Sequence, residues 1–342
     1  MNKEISKAFS FLFGIVLLFS CSEYKASIEL DKIFSNYYEH KMISSGDNFP
    51  DFNARNDSLD LFLVALHERL DIKSFQKKVA WSDKELHKNV LFLKSKNWLK
   101  NDKEYTPTVF ISSNAQGEGL FEYSLPIAIK ISNALEREIP AIKKMFKKTD
   151  LSNSYTFESW AFFILSDVLL DNWQISNVER EFLKAEIRPE RHHKNYYYGI
   201  MENVQYPKEQ FGIYGNQYTL INDSLSLNIY GNNRNVATKR IKKDKLFKDS
   251  IINNSPKIKN KDSRIFEQMA NHFKPVLLNI LSNDIDYINQ IYTISGYTDE
   301  ISFEEFFIWW YHFIYTKVTD ILAENRVLTI PKEGNFYSLI VR

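Results

Sequence analysis

The densest chemistry in this 342-residue chain lies in the run Glu304-Glu305-Phe306-Phe307-Ile308-Trp309-Trp310-Tyr311-His312. On a helix, Glu305, Trp309, His312 and Thr316 fall on one face. A carboxylate beside an imidazole can move a proton or hold a metal, so Glu305 and His312 form the candidate catalytic pair. The enzymatic reading they support is a hydrolase of unfamiliar type. The same two residues also suit a hydrogen-bonded pair at the edge of an aromatic core, because so aromatic a helix must bury most of its surface.

Two further groups carry recognition chemistry. Arg188-Pro189-Glu190-Arg191-His192-His193 suits a loop that binds an anionic group through Arg188, Arg191 and one histidine. A solvated turn is the plainer alternative. Ile-Tyr-Gly-Asn occurs twice, at 213–216 and 229–232, a period of sixteen residues. It offers Tyr214, Asn216, Tyr218, Tyr230 and Asn232, with Tyr196 to Tyr198 nearby. Exposed tyrosines beside amides suit glycan or peptide contact. Packing of the same rings onto a helical layer is the alternative.

Common catalytic signatures are missing from the sequence. It has no metalloprotease helix, phosphate-cradling glycine loop, serine elbow or cysteine-based metal cluster. With ten glycines in the chain, nucleotide loops of the usual kind are hard to build. No cofactor and no metal site are expected, and binding is favoured over catalysis.

The elements that must position these residues are mostly helices. Helical periodicity starts near Ser27 and includes Tyr37 and Tyr38, and a turn-rich loop covers 44–56. A helix follows from Asp57 to Leu70 with Leu59, Phe62, Leu63, Leu66 and Leu70 in one stripe. Ile72 to Val79 reads as a short helix. Ser82-Asp83-Lys84-Glu85 is a capping box that opens a helix to Leu99. Tyr105 to Ser112 reads as a strand, and a long helix runs from Glu118 to Lys148 with interruptions at Pro126 and Pro140. Thr156 to Trp173 is a densely apolar helix. Residues 196–231 read as an antiparallel meander, with Gly-Asn pairs supplying positive φ and Asn222-Asp223-Ser224 the intervening turn. Nine basic residues in 236–263 read as a linker. A helical unit follows, closed by a strand pair at 327–330 and 336–341. The expected class is mainly α with small antiparallel β elements (α+β). The expected division is 21–150, 151–235, linker 236–263 and 264–342.

Residues 1–21 indicate an address. Lys3 and Lys7 precede a charge-free run from Ala8 to Phe19, then Leu18-Phe19-Ser20-Cys21, and Cys21 is the only cysteine. Twelve apolar-rich residues suit a signal segment, whereas a membrane-spanning helix needs about 20. The pattern resembles a bacterial lipoprotein signal peptide, 1–20, with lipidation at Cys21. The resemblance implies a mature chain held on the cell-envelope membrane by acyl chains, with the outer membrane favoured over the inner, and with an envelope protein, peptide or glycan as partner. An ordinary signal segment cleaved elsewhere is the alternative.

The element order over 57–135, with its wing-like stretch from Trp98-Leu99-Lys100 to Gly117, resembles bacterial winged-helix regulators. That resemblance implies a winged-helix-like N-terminal part and a helical C-terminal part. Without residues 1–20, which carry Lys3, Lys7 and Glu4, basic and acidic totals are equal. Nucleic acid is therefore not an expected partner, and the shape points to protein contact. On a tethered chain, the basic stretch 239–261 also suits anionic headgroups.

Overall fold

The computed structural model describes residues 29–341 apart from 102–103; Cys21 and the rest of the expected signal segment lie outside the described residues. Helix accounts for 56% of the chain and strand for 15%, in small separate sheets, which makes the class mainly α within α+β. The chain forms two units that cut across the boundaries expected from sequence. One holds 29–111 and 189–202, the other 112–188 and 203–341.

In the first unit, helix α1 covers 29–35 and strand β1, Tyr38–Ile43, follows. The helical periodicity through Tyr37 and Tyr38 therefore ends early. Tyr38 opens a strand because β5, Tyr197–Glu202, pairs with it antiparallel, Tyr38 opposite Glu202 and Ile43 opposite Tyr197. This takes β5 out of the expected meander.

Helices α2 (Leu59–His67), α3 (Ile72–Lys78) and α4 (Asp83–Ser95) come next, then the antiparallel pair β2 (Leu99–Asn101) and β3 (Tyr105–Pro107). The cap of α4 forms as the sequence predicts. Ser82 Oγ accepts from the Glu85 N–H at 3.3 Å and the Glu85 carboxylate accepts from the Ser82 N–H at 2.7 Å. The stripe on α2 becomes core: Phe62, Phe75 and Trp81 form a triangle with centroids 5.3–5.4 Å apart. Strand β4, Phe110–Ser112, completes the sheet order β1-β5-β4.

The second unit is a helical assembly around an aromatic interior. Helices α5 (Asn114–Tyr123) and α6 (Leu125–Phe146) replace the single interrupted helix of the sequence reading, with Pro126 in the first turn of α6 and Pro140 inside it. Helix α7, Phe157–Phe162, widens into a π-helical stretch at Phe163–Val168, and the short α8, Ile175–Asn177, leads into a second one at Val178–Phe182. Helix α13, Phe303–Glu324, packs on α5 and α6 and buries fifteen of its residues.

Strands β6 (Gly215–Asn222) and β7 (Leu225–Gly231) form a hairpin whose turn is the expected Asn222-Asp223-Ser224. Strand β9, Asn335–Val341, pairs antiparallel with β7 and parallel with β8, Lys257–Ile258. Residues 327–330 form no strand.

The stretch 236–263 is no linker. It holds most of α9 (Arg234–Lys243), all of α10 (Lys245–Asn254) and β8, and opens α11 (Asn260–Asn283), which α12 (Ile285–Ile294) follows. Ala237, Ile241, Phe247, Ile251 and Ile252 pack against Leu227, Ile229 and Leu339 of the sheet. The high lysine count masks an apolar face that orders the segment.

Candidate functional site

The polar centre of the second unit is built where α7 widens. A π-helical stretch leaves carbonyls without their usual partners and is frequent at functional sites. Here the Tyr311 hydroxyl of α13 donates to the Leu170 carbonyl at 2.8 Å. Asp167 and Asp171 project from this segment and are 0% and 4% exposed.

Asn216 of β6 joins them: its Nδ2 donates to Asp167 Oδ1 at 2.6 Å and Asp171 Oδ2 at 3.2 Å. Asp167 Oδ2 is buried without a hydrogen-bond partner. A carboxylate oxygen in that state favours the neutral acid. Burial, and then the charge of Asp171, push the Asp167 carboxyl well above the ordinary range. Burial pushes Asp171 up to about 7, opposed by the Arg234 guanidinium and by hydrogen bonding with Tyr315 and Asn216. The pair therefore holds a proton that exposed carboxyls would have released.

The surrounding groups fix this geometry. Arg234 Nη2 lies 3.1 Å from Glu209 Oε2. Ser166 Oγ hydrogen-bonds with the Tyr230 hydroxyl and, at 2.6 Å, with Thr319 Oγ1. The Tyr315 hydroxyl donates to the Tyr214 carbonyl at 2.8 Å, and the Tyr214 hydroxyl to Asp320 Oδ1 at 3.0 Å. Burial raises the Asp320 carboxyl to about 6, against that donation from Tyr214.

The repeated Ile-Tyr-Gly-Asn segments thus meet in space. Gly215 pairs with Gly231 and Asn216 with Tyr230 across the hairpin. Neither of these glycines has positive φ, contrary to expectation. Gly231 is required for a close backbone approach, whereas at Gly215 the neighbour is the tip of an arginine side chain. A Cβ on Gly215 would sit 2.3 Å from Arg234 Nη1, and one on Gly231 would sit 2.1 Å from the Gly334 carbonyl. The expected exposed tyrosine surface is also replaced. Tyr214 and Tyr230 are 1% and 0% exposed, because their rings fill the space beside Phe162. Tyr218 alone keeps a solvent-facing ring, and its hydroxyl accepts from Asn172 Nδ2 at 2.9 Å. Asn232 uses its main-chain N–H and carbonyl on Gly334 and Glu209.

The other sequence candidates are placed as follows. Glu305 and His312 are buried on α13, 3% and 9% exposed. His312 Nδ1 lies 2.8 Å from the Ile308 carbonyl of its own helix, and its ring packs against Trp309 and Tyr315. Arg188 forks onto Glu179 at 2.7 and 3.1 Å. Arg191, 3% exposed, donates to the carbonyls of Tyr196, Asn97 and Thr108 at 3.3, 2.8 and 2.7 Å. Both guanidiniums are therefore committed to the fold, and the anion-binding loop is corrected to an internal clamp.

Sequence reasoning missed two arrangements in the first unit. One is a part-buried relay in which His40 Nδ1 lies 2.8 Å from the Tyr198 hydroxyl and His40 Nε2 lies 3.0 Å from Asp60 Oδ2. Burial, and then the Asp60 charge, raise the Tyr198 phenol well above its ordinary value, so it stays protonated. The other is a groove of about 760 Å³ between α2, α3, α4 and β3. Its apolar lining is Leu66, Leu70, Ile72, Leu86 and Tyr105. Arg69, Lys73, Asp83 and Glu104 bring charges of both signs to it.

Among the described residues no group of three or more His, Cys, Asp or Glu side chains is placed to hold a metal. Among the same residues no helix is long and apolar enough to cross a membrane. No family model matches the chain, and no curated protein or solved structure is significantly similar to it.

Proposed function

We propose that this chain is a lipid-anchored protein of the bacterial envelope that works by holding a segment of a partner protein. The groove of the first unit carries the proposal. Its volume lies in the range of sites that enclose several side chains, and a mixed lining of apolar groups and charges of both signs suits a short peptide segment. Such a partner would present apolar anchors flanked by both acidic and basic residues. The winged-helix-like element order supports protein contact, and the balanced charge disfavours a polyanion. The anchor rests on the charge-free run at 8–19 and on Leu18-Phe19-Ser20-Cys21.

Photo-crosslinking in intact cells tests the groove. A photoreactive side chain in place of Gln76 or Lys73 should give a discrete higher-mass adduct. The same group at exposed Gln290 of the second unit should not. Adding Leu86→Glu should remove the adduct, because it puts a charge in the apolar lining. Equal labelling at all three positions, or none at Gln76 and Lys73, would remove the groove from the account.

A further inference from the structure

Helices α9 and α10 cover one face of the β6-β7-β9-β8 sheet. Their inward side is accounted for by Ala237, Ile241, Phe247, Ile251 and Ile252. Their outward side is unusual in two respects. Residues 239–249 hold six basic side chains, Lys239, Arg240, Lys242, Lys243, Lys245 and Lys248, against Asp244 and Asp249. Asp244 is engaged in capping α10 through the Phe247 N–H at 3.0 Å. Lys239 lies over the Tyr206 ring and Arg240 over that of Phe247, with Glu333 3.9 Å away. Lys242, Lys243, Lys245 and Lys248 have no acidic partner within salt-bridge distance among the described residues.

The second respect is Leu246, which is 83% exposed in the middle of these lysines. It is the most exposed of the large apolar side chains on the described surface. A chain with balanced overall charge has thus gathered unpaired ammonium groups around one protruding leucine.

We propose that the α9–α10 surface docks on anionic phospholipid, the lysines meeting headgroup phosphates while Leu246 enters the interface. The chemistry is complementary on both counts. Each basic side chain near an anionic surface contributes about 1 kcal/mol, and an apolar tip gains by leaving water. The assignment does not depend on the groove, and it holds whether or not Cys21 is acylated. Where an acyl anchor is present, the high effective concentration at the bilayer lets a modest intrinsic affinity suffice.

The sole native cysteine makes a direct test available. In full-length protein carrying Cys21→Ser and Leu246→Cys, an environment-sensitive fluorophore can be attached at position 246 alone. With phosphatidylglycerol vesicles its emission should shift to the blue and brighten; with phosphatidylcholine vesicles it should not. The response should fall steeply between 50 and 500 mM salt (order of magnitude set by screening of surface charge). Changing Lys242, Lys243, Lys245 and Lys248 to Glu should weaken the anionic-lipid response about a hundredfold or more. The matched control changes Lys77, Lys84, Lys88 and Lys94, exposed in the first unit, to Glu and should leave the response near its starting value. The 1–20 segment is common to every variant, so its own lipid affinity cancels. A response indifferent to lipid charge, an equal loss in the control, or tighter binding to duplex nucleic acid than to vesicles would overturn the proposal.

Discussion

Replacing Asp171 by Asn should raise the stability of the second unit by about 3 kcal/mol more at pH 8 than at pH 5. Burial pushes the folded-state carboxyl to about 7, against an ordinary value of 3.8. The folded protein therefore binds a proton that the unfolded chain releases. Between those two values the native state holds more protons than the unfolded one, so stability declines as pH rises and levels off above about 7. The amide keeps the shape, remains neutral at every pH, and takes the Asp171 share of that decline away.

Asp167, held well above the ordinary range mainly by burial, and Asp320, raised to about 6, stay in the variant and leave a slope of the same sign. Hydrogen exchange of the β6–β7 amides under increasing urea, at pH 5 and pH 8, reads the effect locally. An unchanged slope in the Asp171→Asn protein would show that Asp171 binds no extra proton in the folded state.

Replacing Arg191 by Ala should cost the first unit about 3 kcal/mol or more. The guanidinium is 3% exposed and serves the carbonyls of Tyr196, Asn97 and Thr108. Each buried carbonyl left without a donor costs about 1–3 kcal/mol. Arg191→Lys should recover only part of the loss, because one ammonium cannot present a planar fork to three separated acceptors. Hydrogen exchange of the β1 and β5 amides under increasing urea reads this unit, because both strands lie within it. If Arg191→Ala keeps the wild-type protection but loses affinity for phosphate or carboxylate ions, the residue is a ligand group rather than a clamp.

These expectations show where the sequence was legible. Local signals came through: the Ser82–Glu85 cap, the α2 stripe, the Asn222–Ser224 turn and the helical class all depend on residues within a few positions of one another. What failed depended on distant partners. β5 pairs with β1 more than 150 residues away, so a tyrosine run that reads as meander joins another sheet. The glycines of the repeat read as positive-φ positions, yet they lie in strands beside Arg234 and the Gly334 carbonyl. The basic stretch 236–263 reads as a linker on its charge, but its apolar i, i+4 face packs on the sheet.

The candidate site was half visible. Tyr214, Asn216 and Tyr230 were singled out from the repeat and do surround the carboxylate pair, although as buried supports. Asp167 and Asp171 themselves were passed over. Their signal was present as two acids four residues apart inside the apolar run Phe162 to Trp173. On a buried helix that spacing stacks like charges, which is tolerated only if protons or partners neutralise them. His40, Asp60 and Tyr198 had no such signal, because their separations along the chain follow no local period.

The anchor is the claim on which the proposed role most depends, and mass spectrometry of the N-terminal peptide from membrane-extracted native protein tests it directly. The account predicts a peptide that begins at Cys21, carries a diacylglyceryl thioether, and is absent from a Cys21→Ala chain that no longer fractionates with the membrane. A peptide that retains residues upstream of Cys21, or one cleaved elsewhere with an unmodified Cys21 thiol, would contradict it.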